Sequence, residues 1–242
     1  MTTNLILLRH GRSEWNEQGR FSGWQDVDLS DEGERQAHEA AQALTRAELR
    51  FEMAFTSRLT RAIHTLGIVL NDLDRSWVPV HCDWRFNERH YGALEGLDKA
   101  TTACREGDAS VEHWRHGFSA RPPRMSRNDP RWRGNDARYA DVSNADIPTT
   151  ESLADTVERV QRPLHQRVYP ELRKGRSVLV VAHRNVLRAV ATLIEGLSVE
   201  DVESLHIETA VPIVYRLDED LSLLGQHTLA RAPAPVGASS PR

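Results

Sequence analysis

The sequence predicts a three-layer α/β/α sandwich around a mostly parallel central sheet, and two patterns support this prediction. Residues 5–8 and 177–182 are continuous apolar runs of strand length, as expected for strands that are covered on both faces. Helical patterns separate these runs from weaker strand candidates, and such alternation is typical of parallel sheets. An insertion is predicted over the carboxyl ends of the strands, where open α/β sheets bind ligands.

The other elements are predicted from local patterns along the chain. Ser30 precedes a run of acidic residues and is typical of a helix N-cap, so a helix is expected from there to about Arg46. Further helices are predicted over residues 58–73, 153–168 and 185–193. The weaker strand candidates cover residues 51–55, 77–80 and 213–217.

Two segments break the alternation of strands and helices. Residues 101–146 are rich in Arg, Trp, Pro and Asp and show little periodicity, so they are predicted to form the insertion, or lid, of a single catalytic domain spanning residues 1–230. Residues 231–242 are mostly Ala, Pro, Ser and Gly, a composition that predicts a disordered tail.

Composition narrows the class of protein. Hydrophobic residues make up 39% of the chain and charged residues 27%, which is ordinary for a globular domain. A net charge of -4 gives no reason to expect nucleic acid or a membrane surface as a partner. Cys82 and Cys104 lack metal-ligand spacing, and the N-terminus opens on a strand pattern rather than a signal peptide. The cytoplasm is the predicted location.

Two histidines occupy matching places in the predicted sheet. His10 and His183 each follow a strong strand, so their side chains are expected at the carboxyl edge of the sheet. Arg9 offers a planar donor pair suited to phosphate oxygens, and Gly11 is expected to let the backbone turn and a ligand approach. A lone histidine at a strand end is more often structural, but this pair together with Arg9 and Arg61 favours a phosphate site.

Longer motifs strengthen this hypothesis. The segment RHGRSEWN at residues 9–16 resembles the RHG motif of the histidine-phosphatase superfamily, and more narrowly that of cofactor-dependent phosphoglycerate mutase. The resemblance is strongest at NERHYGAL, residues 87–94, and it covers about residues 3–225. It implies a phosphoglycerate-mutase-like fold.

The resemblance also implies roles for individual residues. His10 would be the nucleophile that takes the phosphoryl group, and Glu88 would be the general acid and base. The donors around the phosphoryl group would be Arg9, Asn16, Arg61 and His183. These donors would replace a metal ion, and the sequence shows no clustered carboxylates that would hold Mg²⁺.

The substrate side departs from the family pattern. The matching substrate-binding positions are Ser22, Gly23, Arg89, Tyr91, Lys99, Arg115 and Asn185. Arg184 stands where the family has Gly, and His116 stands where it has a second Arg; both are expected to contact substrate. Residues 208–210 read Glu-Thr-Ala instead of Pro-Thr-Gly, and Glu208 is expected either to repel an acidic substrate or to pair with Arg184. The catalytic positions are retained while the substrate side is altered, so both phosphoglycerate and another phosphorylated metabolite remain open as the substrate.

The sequence therefore predicts one of two activities. The first is a phosphomutase that interconverts 2- and 3-phosphoglycerate, an isomerase of glycolysis and gluconeogenesis primed by 2,3-bisphosphoglycerate and independent of metal. The alternative is a mutase or phosphatase acting on another small phosphorylated metabolite, such as a sugar phosphate. A non-enzymatic binding protein is disfavoured because every catalytic position is kept. By analogy, the expected assembly is a homodimer or homotetramer, with residues 50–80 as the candidate interface.

Overall fold

A six-stranded mixed sheet forms the centre of the protein. The computed structural model describes residues 2–230, so the predicted tail lies outside the described residues. The strands are β1 (Thr3–Arg9), β2 (Met53–Thr56), β3 (Val80–Cys82), β4 (Val178–Ala182), β5 (Ile213–Leu217) and β6 (Leu223–Thr228). Their order is β3-β2-β4-β1-β5-β6; the first four pair in parallel, β5 is antiparallel to β1, and β6 is antiparallel to β5.

Helices flank the sheet and frame its carboxyl edge. They are α1 (Glu14–Glu17), α2 (Asp31–Arg46), α3 (Thr60–Asp72), α4 (Lys99–Glu106), α5 (Asp108–His116), α6 (Leu153–Pro163), α7 (Tyr169–Arg173), α8 (Arg184–Glu195) and α9 (Val199–Ser204). Within residues 2–230, no helix combines the length and the apolar character needed to cross a membrane.

Both faces of the sheet are buried, which explains the continuous apolar strand runs. Successive side chains of a strand point to opposite faces. Leu5 and Leu7 belong to the core cluster formed with α6 and α8, whereas Ile6 and Leu8 belong to the cluster formed with α2 and α3. All four side chains are 0% exposed. The predicted three-layer α/β/α sandwich is therefore confirmed.

The predicted helix over residues 153–168 is longer and less regular in the structure. It begins at Leu153 behind an N-cap from Ser152, as its capping box requires. After Pro163 it changes to a π-helical turn, Leu164–Val168, and then continues as α7. Proline has no backbone N–H and clashes with the preceding turn, so the regular hydrogen-bond pattern is interrupted at this point.

The insertion is folded and rests on its own aromatic cluster. Its first third forms α4 and α5, two helices that the sequence patterns did not predict. Beyond α5 the chain is mostly irregular, with two short 3₁₀ turns. Trp132 and Tyr139 pack with Trp24, whose ring centroid lies 5.2 Å from that of Tyr139. This cluster attaches the insertion to the loop between α1 and α2.

The parallel strands bring three polar residues together at one edge. His10 follows β1, His183 follows β4 and Ser57 follows β2. Arg9 pairs with Ala182 in register, and the backbone N–H of His10 donates to the carbonyl of Ala182 at 2.9 Å. The two strand-end histidines are therefore neighbours, as the sequence predicts.

Candidate active site

His10 is a buried, neutral histidine with a defined tautomer. Its side chain is 3% exposed, and Nδ1 lies 2.6 Å from the carbonyl oxygen of Gly11. Because a carbonyl can only accept, Nδ1 carries the hydrogen and Nε2 keeps its lone pair. Burial, and then the charges of Arg61 and Arg9, hold the pKa of His10 well below the usual 6.5. Nε2 is therefore an unprotonated nucleophile at neutral pH.

His183 lies beside His10 and is oriented by Ser57. The two imidazole centroids are 5.0 Å apart, and Nε2 of His183 lies 2.8 Å from Oγ of Ser57. Oγ accepts the N–H of Leu59, and among the described residues Nε2 of His183 is the only acceptor found for its own hydrogen, so the hydroxyl donates to Nε2. The ring hydrogen is then on Nδ1, a buried atom without a partner among the described residues. Ser57 was not among the predicted site residues, although its place directly after β2 is the same signal that identified the histidines.

Two arginines supply positive charge next to the histidines. Arg9 donates from Nη1 to the carbonyl of Ile207 at 2.7 Å, and its buried Nε has no partner among the described residues. Arg61 is 1% exposed and donates to the carbonyls of Gly23 and Gln25 at 2.8 and 2.9 Å. Arg61 therefore fixes the loop between α1 and α2 and places its charge in the site.

A glycine is required at position 11 for a different structural reason from the expected one. It does not adopt a positive φ; instead, a Cβ at this position would lie 2.1 Å from the carbonyl oxygen of Gly33. Gly11 therefore lets the segment after β1 pack directly on the first turn of α2. This close contact, rather than a sharp turn, requires the absence of a side chain.

One carboxylate oxygen of Glu88 accepts hydrogen bonds from the protein, and the other does not among the described residues. Its Oε1 accepts three N–H groups, from the backbone of Arg89 at 2.8 Å and from the backbone and side chain of Asn185 at 3.3 and 3.1 Å. No hydrogen bond of Oε2 is found among the described residues, and Glu88 lines the cavity that holds His10. An oriented carboxyl group of this kind can exchange a proton with a bound ligand.

The ion pair between Arg159 and Glu151 holds the backbone on either side of the Glu88 side chain in place. Arg159 makes a bidentate contact with Glu151 at 2.6 and 2.8 Å, and it donates to the carbonyls of Asn87 at 3.0 Å and Glu88 at 3.3 Å. Glu151 accepts the N–H of His90 at 2.9 Å. Neither Glu151 nor Arg159 was predicted as a site residue, although both lie within residues 3–225, which the family resemblance covers. Both act on the site through Glu88.

Replacing Arg159 with methionine is therefore expected to lower kcat by about tenfold to a hundredfold, with a smaller change in KM. A catalytic group displaced by about 1 Å loses rate on this scale. Steady-state kinetics well below Tm, together with an unfolding curve, measure both effects. Arg121→Met is the matched control, because Arg121 forms an exposed ion pair with Asp155. A lower Tm with unchanged kcat would show a structural role only.

Glu95 is a buried carboxyl group that holds the loop containing Gly23. It accepts the backbone N–H groups of Trp24 at 3.0 Å and Tyr91 at 3.1 Å. Burial outweighs these bonds and raises the pKa of Glu95 to about 7. Nδ1 of His90 already accepts an N–H and lies 3.2 Å from Oε1 of Glu95, a contact between two acceptors that a proton on Glu95 relieves.

The ionisation of Glu95 is expected to destabilise the fold as pH rises. Its pKa is about 7 in the folded protein against 4.5 normally, so its contribution to stability is full below pH 4.5 and lost as pH rises through 7. The loss amounts to about 3 kcal/mol. The native protein should lose stability between pH 4.5 and 7, whereas Glu95→Gln lacks this loss. The unfolding free energy of the variant should therefore rise relative to that of the native protein over this range. Glu34→Gln, an exposed control, should show a flat difference; a flat profile for Glu95→Gln would contradict the prediction.

The structure gathers most of the predicted site residues around one narrow cavity of about 70 Å³. The predicted residues that line it are Arg9, His10, Asn16, Ser22, Gly23, Arg61, Glu88, Tyr91, Lys99, Arg115 and Arg184. Arg20 and Phe21 also line it and were not predicted, although they lie in a matched segment. His183, Arg89 and Asn185 stand behind this lining, in contact with its members.

On the substrate side, the structure places His116 and Glu208 outside the lining of the cavity. His116 does not line the cavity; its Nε2 lies 3.3 Å from Glu112, and burial followed by Arg184 lowers its pKa to about 4. Glu208 is exposed, and Arg184 contacts the hydroxyl of Tyr91 instead. Around the site and elsewhere in residues 2–230, no group of three or more His, Cys, Asp or Glu side chains is arranged to hold a metal ion.

Solved structures share this fold at low sequence identity. Mycobacterial glucosyl-3-phosphoglycerate phosphatase matches with a TM-score of 0.71 and 22% identity, over 96% of this chain and 100% of that one. Alpha-ribazole phosphatase from Shigella flexneri matches with a TM-score of 0.64 and 21% identity, over 95% of each chain. Bacillus stearothermophilus YhfR matches with a TM-score of 0.68 and 22% identity, over 91% and 94%. At these identities the likeness shows the fold alone.

The sequence itself matches a family model. The model of the histidine phosphatase superfamily (branch 1) matches residues 5–137 and 125–225, which include both strand-end histidines and Glu88. Two of the structural relatives are phosphatases by name, so the narrower resemblance to phosphoglycerate mutase, with its place in glycolysis, stays a prediction. On the extent of this match, the chain belongs to the histidine phosphatase superfamily, branch 1.

Proposed function

We propose that the protein is a phosphatase that removes the phosphoryl group from a small phosphorylated metabolite through a phosphohistidine at His10. The observation that carries the proposal is the state of His10, whose Nε2 is unprotonated in a cavity lined by Arg9 and Arg61. These charges stabilise the phosphoryl oxygens on which negative charge accumulates. Asn16 and Nδ1 of His183 are the further donors proposed for them.

The reaction runs in two balanced halves. In the first, Nε2 of His10 attacks phosphorus, the ester P–O bond breaks, and protonated Glu88 gives its proton to the leaving oxygen. In the second, the Glu88 carboxylate takes a proton from water, the water oxygen attacks phosphorus, and the P–N bond breaks. Inorganic phosphate leaves, and both residues return to their starting states.

The names of the structural relatives support hydrolysis. Glucosyl-3-phosphoglycerate phosphatase and alpha-ribazole phosphatase are both named for phosphate removal. The same histidine and carboxylate serve either acceptor, so water replaces a second hydroxyl without a change of residues. Hydrolysis also needs no priming donor.

A mutase is the second candidate, favoured by the enclosure of the cavity. Arg115 of the insertion and Lys99, just before it, line the narrow cavity with His10, and a narrow cavity slows the entry of water to a phosphoenzyme. Priming by 2,3-bisphosphoglycerate belongs to this candidate, and the cationic lining suits such an anion. Independence from metal and assembly as a homodimer or homotetramer remain predictions under both candidates.

Phosphorus NMR separates the two candidates. The protein is incubated with 3-phosphoglycerate, with and without 2,3-bisphosphoglycerate, and inorganic phosphate and 2-phosphoglycerate are followed. Free phosphate without isomerisation supports the phosphatase. Rapid 2-phosphoglycerate formation that depends on the bisphosphate overturns it in favour of the mutase. If the protein neither becomes phosphorylated nor releases phosphate from a panel of phosphomonoesters, both candidates fail.

A further inference from the structure

Gln36 is a buried polar residue on α2 that the proposed mechanism does not use. Its side chain is 3% exposed, and it was not among the predicted site residues. Its Oε1 accepts the backbone N–H of Arg12 at 3.0 Å, and its Nε2 donates to Oε1 of Glu32 at 2.9 Å. A carboxylate only accepts and a backbone N–H only donates, so these two contacts fix the orientation of the Gln36 amide.

The N–H that Gln36 accepts belongs to the same peptide group as the hydrogen-bond acceptor of the nucleophile. Nδ1 of His10 lies 2.6 Å from the carbonyl oxygen of Gly11, and the N–H of that peptide group is the one of Arg12. A continuous row of hydrogen bonds therefore runs from Glu32 through Gln36 and this peptide group to the imidazole. Hydrogen bonds in such a row polarise one another, so the carbonyl of Gly11 becomes a stronger acceptor for Nδ1–H.

Two glycines explain why α2 comes close enough to make this contact. A Cβ on Gly11 would lie 2.1 Å from the carbonyl oxygen of Gly33, and a Cβ on Gly33 would lie 1.9 Å from the carbonyl oxygen of Arg12. Only glycine at both positions lets the helix pack directly on the chain after β1. Gln36 lies three residues after Gly33 and therefore on the same face of the helix. The close packing places its amide opposite the N–H of Arg12.

Glu32 holds the far end of this row. Its second carboxylate oxygen, Oε2, accepts Nε of Arg35 at 3.0 Å. The hydrogen bonds from Arg35, and then from Gln36, lower the pKa of Glu32 below its usual value, so Glu32 is an acceptor at neutral pH. Its side chain is 33% exposed, and water screens its charge. Glu32 therefore acts on the site mainly by orienting the Gln36 amide.

We infer that Gln36 is a positioning residue for His10, which holds Nδ1–H in place and stabilises the charge that the ring gains on phosphorylation. When Nε2 gives its lone pair to phosphorus, the imidazole becomes cationic and Nδ1 keeps its hydrogen. The hydrogen bond to Gly11 then strengthens in the transition state, so an acceptor fixed in advance lowers the barrier. The inference rests on the proposed function for the role of His10, but the hydrogen-bond state of the ring is measurable on its own.

The test compares variants of the residues in this row. Gln36→Met keeps the length of the side chain but removes its acceptor, and Gln42→Met is the matched control because Gln42 is an exposed residue of the same helix. In the double variant Glu32→Gln/Gln36→Glu, the carboxylate and the amide exchange places, so the N–H of Arg12 keeps an acceptor.

Two kinds of measurement are made on each protein. Proton-detected nitrogen-15 NMR of the imidazole gives the tautomer of His10 and the shift of its Nδ1 proton, with His10→Ala as the assignment control. Rapid-quench kinetics with p-nitrophenyl phosphate give the rate of His10 phosphorylation, and steady-state kinetics give KM.

Gln36→Met should lower the phosphorylation rate by about tenfold to a hundredfold and leave KM within about threefold, which is the scale on which outer partners of a functional histidine act. Its His10 ring should populate both tautomers, and the Nδ1 proton should move upfield. The double variant should restore the rate to within about threefold of the native rate. It should also move this proton downfield, because a carboxylate is the stronger acceptor. Gln42→Met should match the native protein in rate and spectrum.

Two results overturn the inference. One is a native phosphorylation rate in Gln36→Met; the other is a lower rate with an unchanged His10 spectrum, which would mean that Gln36 only supports the fold. If Gln36→Met does not fold, the double variant decides, because a Nδ1 proton shift equal to the native one contradicts polarisation through the Gly11 carbonyl. Failure of the proposed function is a separate result, since it appears as absent phosphorylation of the native protein while the spectrum still reports on Gln36.

Discussion

The His10→Ala protein is expected to lose phosphoryl transfer by about 10⁴-fold to 10⁶-fold, which is the scale of losing a covalent nucleophile. No other side chain can take its place. His183 is the nearest imidazole, but its Nε2 is held by Ser57 at 2.8 Å. The residual rate would come from binding and from the charges of Arg9 and Arg61, which remain in the variant.

The measurement has two parts. Phosphate release from p-nitrophenyl phosphate gives the rate. Quenching in alkaline denaturant, followed by mass spectrometry without an acid step, shows whether the protein carries a phosphoryl group, and its loss from an acid-treated aliquot identifies a phosphohistidine. The native protein should be labelled on His10 during turnover, and the variant should not be labelled anywhere.

A matched control uses another histidine. His38→Ala removes a half-exposed ring that contacts Asp72 at 2.6 Å, and neither residue lines the cavity. Its rate should stay within about twofold of the native rate, as surface changes do. Phosphorylation of His10→Ala at a second residue, with the rate maintained, would show that His10 is not the nucleophile.

The positions of the two histidines follow from the sequence because parallel strands fix them. A strand buried on both faces produces an apolar run, and its last residue marks the carboxyl edge of the sheet. β1 and β4 satisfy this rule, so His10 and His183 could be placed at the same edge of the sheet before the strand order was known. The pairing of β1 with β4 then makes them neighbours. The same logic applies to β2 and Ser57, but the run before Ser57 is weaker and contains Met53, which is partly exposed.

The outer strands β3 and β6 were predicted less accurately because many of their side chains are exposed. The third strand was predicted over residues 77–80, but β3 begins at Val80, and Trp77 is 72% exposed. β6 was not predicted: four of its six residues are polar, glycine or threonine, and most of the strand is exposed. An edge strand pairs through its backbone on one side only, so its side chains need no regular apolar pattern.

The insertion shows where local patterns lose their predictive value. Its aromatic cluster is completed by Trp24, which lies more than a hundred residues earlier in the chain. Sequence patterns within a short segment cannot predict a contact between residues so far apart. The Arg159–Glu151 pair escapes prediction for the same reason, because its importance lies in the backbone carbonyls it reaches at Asn87 and Glu88.

Glu88→Gln is expected to give the second largest effect, and the effect should depend on the leaving group. For an alkyl ester such as glycerol 3-phosphate, kcat should fall by about 10² to 10⁴, because the leaving oxygen is poor unless it is protonated. For p-nitrophenyl phosphate, phosphorylation of His10 should fall by less than about tenfold, because p-nitrophenolate departs without a proton. Glutamine keeps the acceptor for the N–H groups of Arg89 and Asn185, so the geometry should survive.

The second half-reaction makes this prediction specific to an acid and base role. Water still needs a base, so Glu88→Gln should release one equivalent of p-nitrophenol in a burst and then stall as phospho-His10 accumulates. Rapid-quench kinetics measure the burst, and Glu158→Gln, an exposed carboxylate on α6, should behave as the native protein. Equal losses for both esters without accumulation would mean that Glu88 only supports the fold of the site. A burst with accumulation requires that the missing group acts twice, once on the leaving oxygen and once on water.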